Sequence, residues 1–190
     1  MSIKYFDNLL AQTLRHLYTH WYEENVGIVS CCLADGSNKA FATSTRDGKN
    51  WKHAERNAYE KFQTLYGQPS SNSIFVVTLS PCLKNLKYRE QSSCSELMKK
   101  IGIARTHFGV LDTMHVSCLE DYKNYGLQAS VTKDASLASM CKNLMAIFSD
   151  YDSRINTDLL GIKEELGSNF FGNIAALDEH IKSPVQNIKA

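Results

Sequence analysis

Proline is scarce in this chain, with only 3 among 190 residues, which excludes a linker-like or polyproline-rich polypeptide. Excess charge of one sign is missing as well. Lys plus Arg number 21 and Asp plus Glu 20, for a formal net charge of +1, so the sequence is not built to coat nucleic acid or an anionic membrane surface. Nowhere does an apolar run approach the ~18 residues of a membrane-spanning helix. The opening Met1-Ser2-Ile3-Lys4-Tyr5-Phe6-Asp7 lacks the basic-then-apolar pattern of a secretory leader. These absences lead to the expectation of a cytoplasmic protein, in which the six cysteines serve as thiols or metal ligands rather than as a disulfide frame. What is present is a balance of 43% hydrophobic and 22% charged residues, the proportions of a folded domain. The length suits one ordinary domain with room for an appendage.

Hydrophobic periodicity supplies the element order. Leu10, Leu14, Leu17 and Trp21 recur at helical spacing and predict an amphipathic helix ending near Glu23-Glu24-Asn25. Val26 to Leu33 and Lys39 to Ser44 flank Asp35-Gly36 and predict a hairpin. After a loop at Asp47-Gly48-Lys49-Asn50, a helix starts near His53 with Ala54, Ala58, Phe62 and Leu65 on its apolar face. Strands are expected at Ser73–Leu79, Ala104–Leu111 and Leu127–Val131, separated by helices through Leu97, Met98 and Ile101 and over Leu119–Tyr125. Alternating strands and helices with short links imply parallel pairing, hence an α/β mixed sheet of five strands with helices on both faces. The expected division is a domain over residues 1–148 and a helical extension over 149–190. Apolar stripes at Leu137, Met140, Cys141, Leu144 and Phe148, and again from Leu159 to Ile181, read as helices packed on the sheet domain. An added lobe or an oligomer interface is the alternative.

Three separated pieces carry chemistry. His53-Ala54-Glu55 opens a helix, Pro81-Cys82 follows a strand, and Cys94 opens the next helix. One nitrogen and two sulfurs are ligands that Zn²⁺ prefers, and a set of three protein ligands leaves the fourth position open, as in catalytic rather than structural zinc sites. A helix N-terminus favours thiolate at Cys94. Glu55, two residues beyond the imidazole, is placed to act as acid and base toward a water at the open position. That combination suits hydrolytic attack on a ring carbon bearing an amine. Taken singly, His53 reads equally as a surface or capping histidine, and Glu55 as a first-turn acid that complements the helix dipole. Cys31, Cys32, Cys118 and Cys141 lie in apolar stretches and read as small core residues, as does His107 as a packed histidine. Trp51 reads either as a stacking platform for a flat heterocycle or as a cap on the core.

H-x-E followed by P-C and a second cysteine is the signature of zinc deaminases, and the sequence resembles the cytidine-deaminase-like superfamily. The two cysteines flank eleven residues, 83–93, rather than two. A long gap resembles the pyrimidine deaminases of riboflavin biosynthesis, whose motif is usually P-C-x8-C. Thr78-Leu79-Ser80-Pro81-Cys82 is similar to that family's T-L-E-P-C, Gly109-Val110-Leu111-Asp112 to its G-x-x-D, and Tyr125-Gly126-Leu127 to its A-G-I. The resemblance runs over about residues 25–148. It implies a three-layer cytidine-deaminase-like fold, with His53, Cys82 and Cys94 as zinc ligands and Glu55 as the catalytic carboxylate. Asn25 stands in, with a shifted register, for the family's substrate-gripping asparagine, and Asp112 for the aspartate of its G-x-x-D.

Lys84, Lys87, Tyr88 and Arg89 lie between two expected ligands, and thus beside the site. The lysines and the arginine suit a substrate phosphate through charge-assisted hydrogen bonds, or form a solvated loop. The expectation is therefore a deaminase of a small amino-substituted heterocycle, a pyrimidine nucleotide-like metabolite, assembled as a homo-oligomer (a dimer or larger). Two alternatives stand beside it: a deaminase of a base in single-stranded nucleic acid, disfavoured by the neutral charge, and an inactive zinc-binding interaction module.

Overall fold

A computed structural model describes residues 3–47, 50–83, 92–113, 116, 118–155, 157–170 and 174–182. The elements run α1 (Ile3–Thr19), β1 (Val26–Asp35), β2 (Asn38–Asp47), β3 (Asn50–Lys52), α2 (Ala54–Tyr66) and β4 (Ile74–Leu79). They continue with α3 (Cys94–Lys100), β5 (Arg105–Val110), α4 (Leu119–Asn124), β6 (Gln128–Val131), α5 (Ala135–Ile155), α6 (Leu159–Phe170) and α7 (Ile174–Lys182). The α/β reading holds, with one correction. The sheet has six strands, ordered β3-β2-β1-β4-β5-β6, not five. The additional strand, β3, is three residues long and pairs antiparallel with β2 through Thr45↔Lys52 and Arg46↔Trp51. Three residues are too few to show an alternating pattern, so the sequence around Asn50 reads as loop.

Pairing is mixed. β1 is antiparallel to β2 and β4, whereas β4, β5 and β6 run parallel. Alternation along the central strands divides the core into two layers. From β1, Ile28, Cys32 and Ala34 point to one side and Cys31 and Leu33 to the other; from β4, Ile74 and Val76 oppose Phe75 and Val77. The first layer is covered by Leu9, Leu10, Leu14 and Leu17 of α1 and by Leu137, Cys141 and Leu144 of α5. The second is covered by Ala54, Ala58 and Phe62 of α2, Met98 of α3 and Tyr122 of α4. Helices thus lie on both faces.

Two local irregularities lie where α1 hands over to β1. α1 stops at Thr19, before Trp21, yet Trp21 is fully buried in the first core layer. In addition, the β1–β2 register shifts between Val26 and Ser30. Hydroxyls knit that irregular stretch: the Val29 N–H donates to Ser44 Oγ at 3.2 Å and the Ser30 N–H to Thr78 Oγ1 at 3.1 Å. Bulges of this type bend a strand and re-aim its end.

The division expected at 148/149 falls inside α5. Ile155 of α5, Leu159 and Ile162 of α6 and Leu177 of α7 join the same buried layer as α1. Polar contacts also tie α7 to its neighbours: the His180 carbonyl accepts from Asn8 Nδ2 at 2.8 Å, and His180 Nε2 lies 3.3 Å from Asp134. Among the described residues no helix is long and apolar enough to cross a membrane.

Candidate active site

The parallel strands β4 and β5 end together, with Leu79 opposite Val110. β1 runs the opposite way beside β4, so its first residues stand at that same edge. Pro81-Cys82 leaves β4 there, Leu111-Asp112 leaves β5, and Asn25 enters β1. This is the carboxyl edge of the parallel strands, where crossing helices present their N-termini and open α/β sheets hold their sites.

Each metal-type side chain has a local reason for its place. His53 is the N-cap residue of α2, in extended conformation with φ −69° and ψ 147°, and its side chain makes no capping hydrogen bond to the helix. Cys82 follows a buried strand whose exit is held by the Tyr122 hydroxyl, which donates to the Pro81 carbonyl. Burial raises the pKa of that phenol, keeping it a donor. Cys94 is the first residue of α3, and Ser93 caps the helix by accepting from the Glu96 N–H at 3.2 Å. Arg56, one residue past Glu55, donates from Nη2 to the carbonyl and hydroxyl of Ser92. Two ends of a long connection are thereby pinned.

The three donor atoms converge. His53 Nδ1 lies 3.1 Å from Cys94 Sγ and 3.7 Å from Cys82 Sγ, and all three lie within 4.8 Å of one another. Ligands on a tetrahedral Zn²⁺ with bonds of about 2.0–2.3 Å stand about 3.5–3.8 Å apart, so the spacing and the N/S/S donor set fit that ion. The cysteines are free and buried. The Cys82 thiol is pulled down because Cys94 donates a hydrogen bond to its sulfur and His53 stands beside it. By the same contact, with burial added, the Cys94 thiol is pushed up. Metal binding at such a pair releases protons.

Glu55 is 3% exposed. Burial raises its pKa, the Cys82 charge adds to that effect, and His53 opposes it. Cys94 is also its hydrogen-bond neighbour, which places the carboxyl beside the ligand cluster. A zinc ion held by His53, Cys82 and Cys94 would supply Lewis acidity there. A buried carboxyl with a raised pKa, beside those donors, is suited to accept a proton and return it.

Residues 6–110 match the family described as the cytidine and deoxycytidylate deaminase zinc-binding region. The chain belongs to that family. The His53, Cys82 and Cys94 group offers donors of the kind a zinc ion takes, consistent with that zinc-binding region. No curated protein matches it. Among solved structures, the chain resembles a diaminohydroxyphosphoribosylaminopyrimidine deaminase/5-amino-6-(5-phosphoribosylamino)uracil reductase from Thermotoga maritima. That likeness has a TM-score of 0.55 at 18% identity, over 76% of this chain and 41% of that one. RibD from Acinetobacter baumannii is similar at TM-score 0.54 and 18% identity, over 78% of this chain and 41% of that one. These likenesses establish the shared fold; the chain spans about two fifths of the length of either relative.

The other residues expected at the deaminase site have varied positions. Asn25 is exposed at the start of β1, its carbonyl accepting from the Arg46 N–H at 2.9 Å. Asp112 is half-buried past β5, its N–H donating to Ser80 Oγ at 2.9 Å. Both sit at the ligand edge of the sheet. Lys84, Lys87, Tyr88 and Arg89 lie outside the described residues. Trp51 packs against the first core layer with Arg46 over its ring at 5.8 Å, which favours the core-capping alternative. His107 is fully buried, between Ser130 Oγ at 2.9 Å and Asp7 Oδ1 at 3.2 Å, a satisfied core histidine. Cys118 corrects an expectation: it is exposed rather than core, because it precedes α4 at the surface, where its N–H donates to Asp121 Oδ2 at 3.1 Å. Sequence reasoning missed Tyr122, Arg56 and Ser93. Only Ser93 left a local signal, the Ser-x-x-Glu pattern of a capping box ending at Glu96.

Proposed function

We propose that this deaminase-family chain hydrolyses a small amino-substituted heterocycle, and that the substrate is a pyrimidine nucleotide-like metabolite of the kind handled in riboflavin biosynthesis. Water adds at the amine-bearing ring carbon, the C–N bond breaks, and the ring keeps the oxygen while ammonia departs. His53, Cys82 and Cys94 hold the zinc. Glu55 moves the proton from water to the leaving amine. Asn25, Asp112, Lys84, Lys87 and Arg89 contact the substrate, the cations through its phosphate. Residues 1–148 form the deaminase domain and 149–190 the helical extension, in a cytoplasmic homo-oligomer.

One observation carries this reading: a buried carboxyl stands beside three zinc-type donors within 4.8 Å of one another. A structural zinc site fills all four positions with protein ligands and has no use for such a carboxyl. The substrate class rests on the T-L-x-P-C and G-x-x-D resemblance. Its support from the fold is the likeness to a protein named for diaminohydroxyphosphoribosylaminopyrimidine deamination. The test is ammonia release from a panel of aminopyrimidine and purine bases, nucleosides and nucleotides, including that diaminopyrimidine. Turnover by the zinc-loaded protein that disappears in Glu55→Ala is the expected result. Silence across the panel, or an undiminished rate in the variant, overturns it.

A further inference from the structure

We propose that Lys163, on α6, is a positioning residue for the active-site rim: its terminal nitrogen holds the Glu23–Val26 turn in the shape that delivers Asn25 and β1 to the ligand edge of the sheet.

Lys163 is fully buried, although no carboxylate forms an ion pair with it among the described residues. Burying a charged group without compensation is costly. Here the compensation comes from main-chain carbonyls: Nζ donates to Val26 O at 2.7 Å and to Glu23 O at 3.2 Å. The ammonium also faces the Trp21 ring, 5.4 Å from its centroid. Trp21 in turn donates from Nε1 to the Lys163 carbonyl at 3.0 Å, so each residue grips the other's backbone or ring. Burial lowers the Lys163 pKa to about 8, with Glu23 opposing the shift. A neutral amine retains two N–H groups, one for each carbonyl.

What is held is a turn that exits toward the site. The Val26 N–H bonds to Glu23 O, and the Arg46 N–H bonds to Asn25 O. A second contact from the C-terminal helices reaches the same place independently: Arg46 Nη1 donates to Ile155 O at 3.2 Å. Both Ile155 and Lys163 lie outside the 6–110 stretch that defines the family match. The long sequence separations, 137 between Lys163 and Val26 and 109 between Arg46 and Ile155, show that the C-terminal helices brace one side of the rim.

The kinetic consequence rests on the proposed deaminase reading; the structural one does not. The full-length, zinc-loaded protein is compared with Lys163→Met, which keeps the apolar stem, and with Trp21→Phe, which keeps a ring but removes the indole donor. Hydrogen exchange at the Val26 and Arg46 amides is expected to rise about tenfold in Lys163→Met and by less in Trp21→Phe. Zinc content stays unchanged. With diaminohydroxyphosphoribosylaminopyrimidine as substrate, KM rises while kcat stays within about twofold, because the rim binds and Glu55 does the chemistry. Exchange unaltered at those two amides, or raised equally throughout the protein, overturns the assignment. A KM that does not move in a variant whose rim exchanges faster also overturns it. If the wild-type protein deaminates no compound of the panel, the functional reading fails, and the exchange result still decides the role of Lys163. Should Lys163→Met not fold, Trp21→Phe decides by the same criteria.

Discussion

The backbone N–H of Cys94 donates to the sulfur of Cys82 at 3.3 Å, bridging a sequence separation of 12. The first amide of α3 thus turns toward one donor sulfur while the side chain of the same residue supplies another. Lengthening the connection between the two cysteines costs little, since doubling a loop adds only about 0.6 kcal/mol of closure entropy. What matters is how the two ends are anchored. The Ser95 N–H donates to Cys82 O at 3.2 Å, Tyr122 holds Pro81, and Arg56 holds Ser92. The two sulfurs therefore converge across an eleven-residue gap.

If these sulfurs are ligands, removing either one empties the site. The wild-type protein should carry a single zinc per chain by elemental analysis. Cys82→Ser and Cys94→Ser should each hold less than about a tenth of that after dialysis against a weak chelator, with a lower Tm. A full zinc complement in either variant would remove that cysteine from the ligand set.

Glu55 separates metal binding from chemistry. Glu55→Gln preserves shape and loses the carboxyl that can take up and return a proton, so zinc content should match that of the wild type. The rate of ammonia release should fall by about 10²- to 10⁴-fold. Loss of zinc together with activity would instead make the carboxyl part of the metal site.

His16 gives the fold an acid-sensitive component. Burial, and then the charges of His20 and Lys61, pull its pKa from 6.5 down to about 4, against the pull of Glu23. Between these values the unfolded chain binds a proton that the folded chain refuses, so the unfolded state gains as pH falls. The contribution is present in full above pH 6.5 and is lost progressively toward pH 4. Urea midpoints measured at pH 7 and pH 5 should fall less in His16→Gln than in the wild type. An identical drop in both would show that His16 does not report this transition.

At Gly109 the backbone of β5 lies close against Cys141 of α5. A Cβ there would lie 2.0 Å from Cys141 Sγ and 3.0 Å from the Thr78 carbonyl oxygen. Gly109→Ala should destabilise the protein by about 1–3 kcal/mol through overpacking, measured by thermal or urea unfolding. An unchanged midpoint would mean that α5 moves away freely.

Local patterns made much of this protein legible. The spacing of Leu10, Leu14 and Leu17 specifies α1, the apolar run from Ile74 to Leu79 specifies a central strand, and Ala54, Ala58 and Phe62 specify the inner face of α2. Donor chemistry did the same for the site, since His53, Cys82 and Cys94 stand on successive elements whose ends a parallel sheet brings to one edge. Less legible were β3, too short for a period, and the surface position of Cys118.

Most of the element order and the candidate metal-donor atoms were written in the chain, because both arise from near-neighbour spacing and from the chemistry of individual side chains. That Lys163 reaches Val26 and that Tyr122 holds Pro81 emerged with the folded structure alone. Contacts of that range leave no periodic trace along the sequence. They depend on which buried polar group finds a partner once the helices have packed, and a lysine in an apolar stripe looks the same before that packing whether it ends in water or against two carbonyl oxygens.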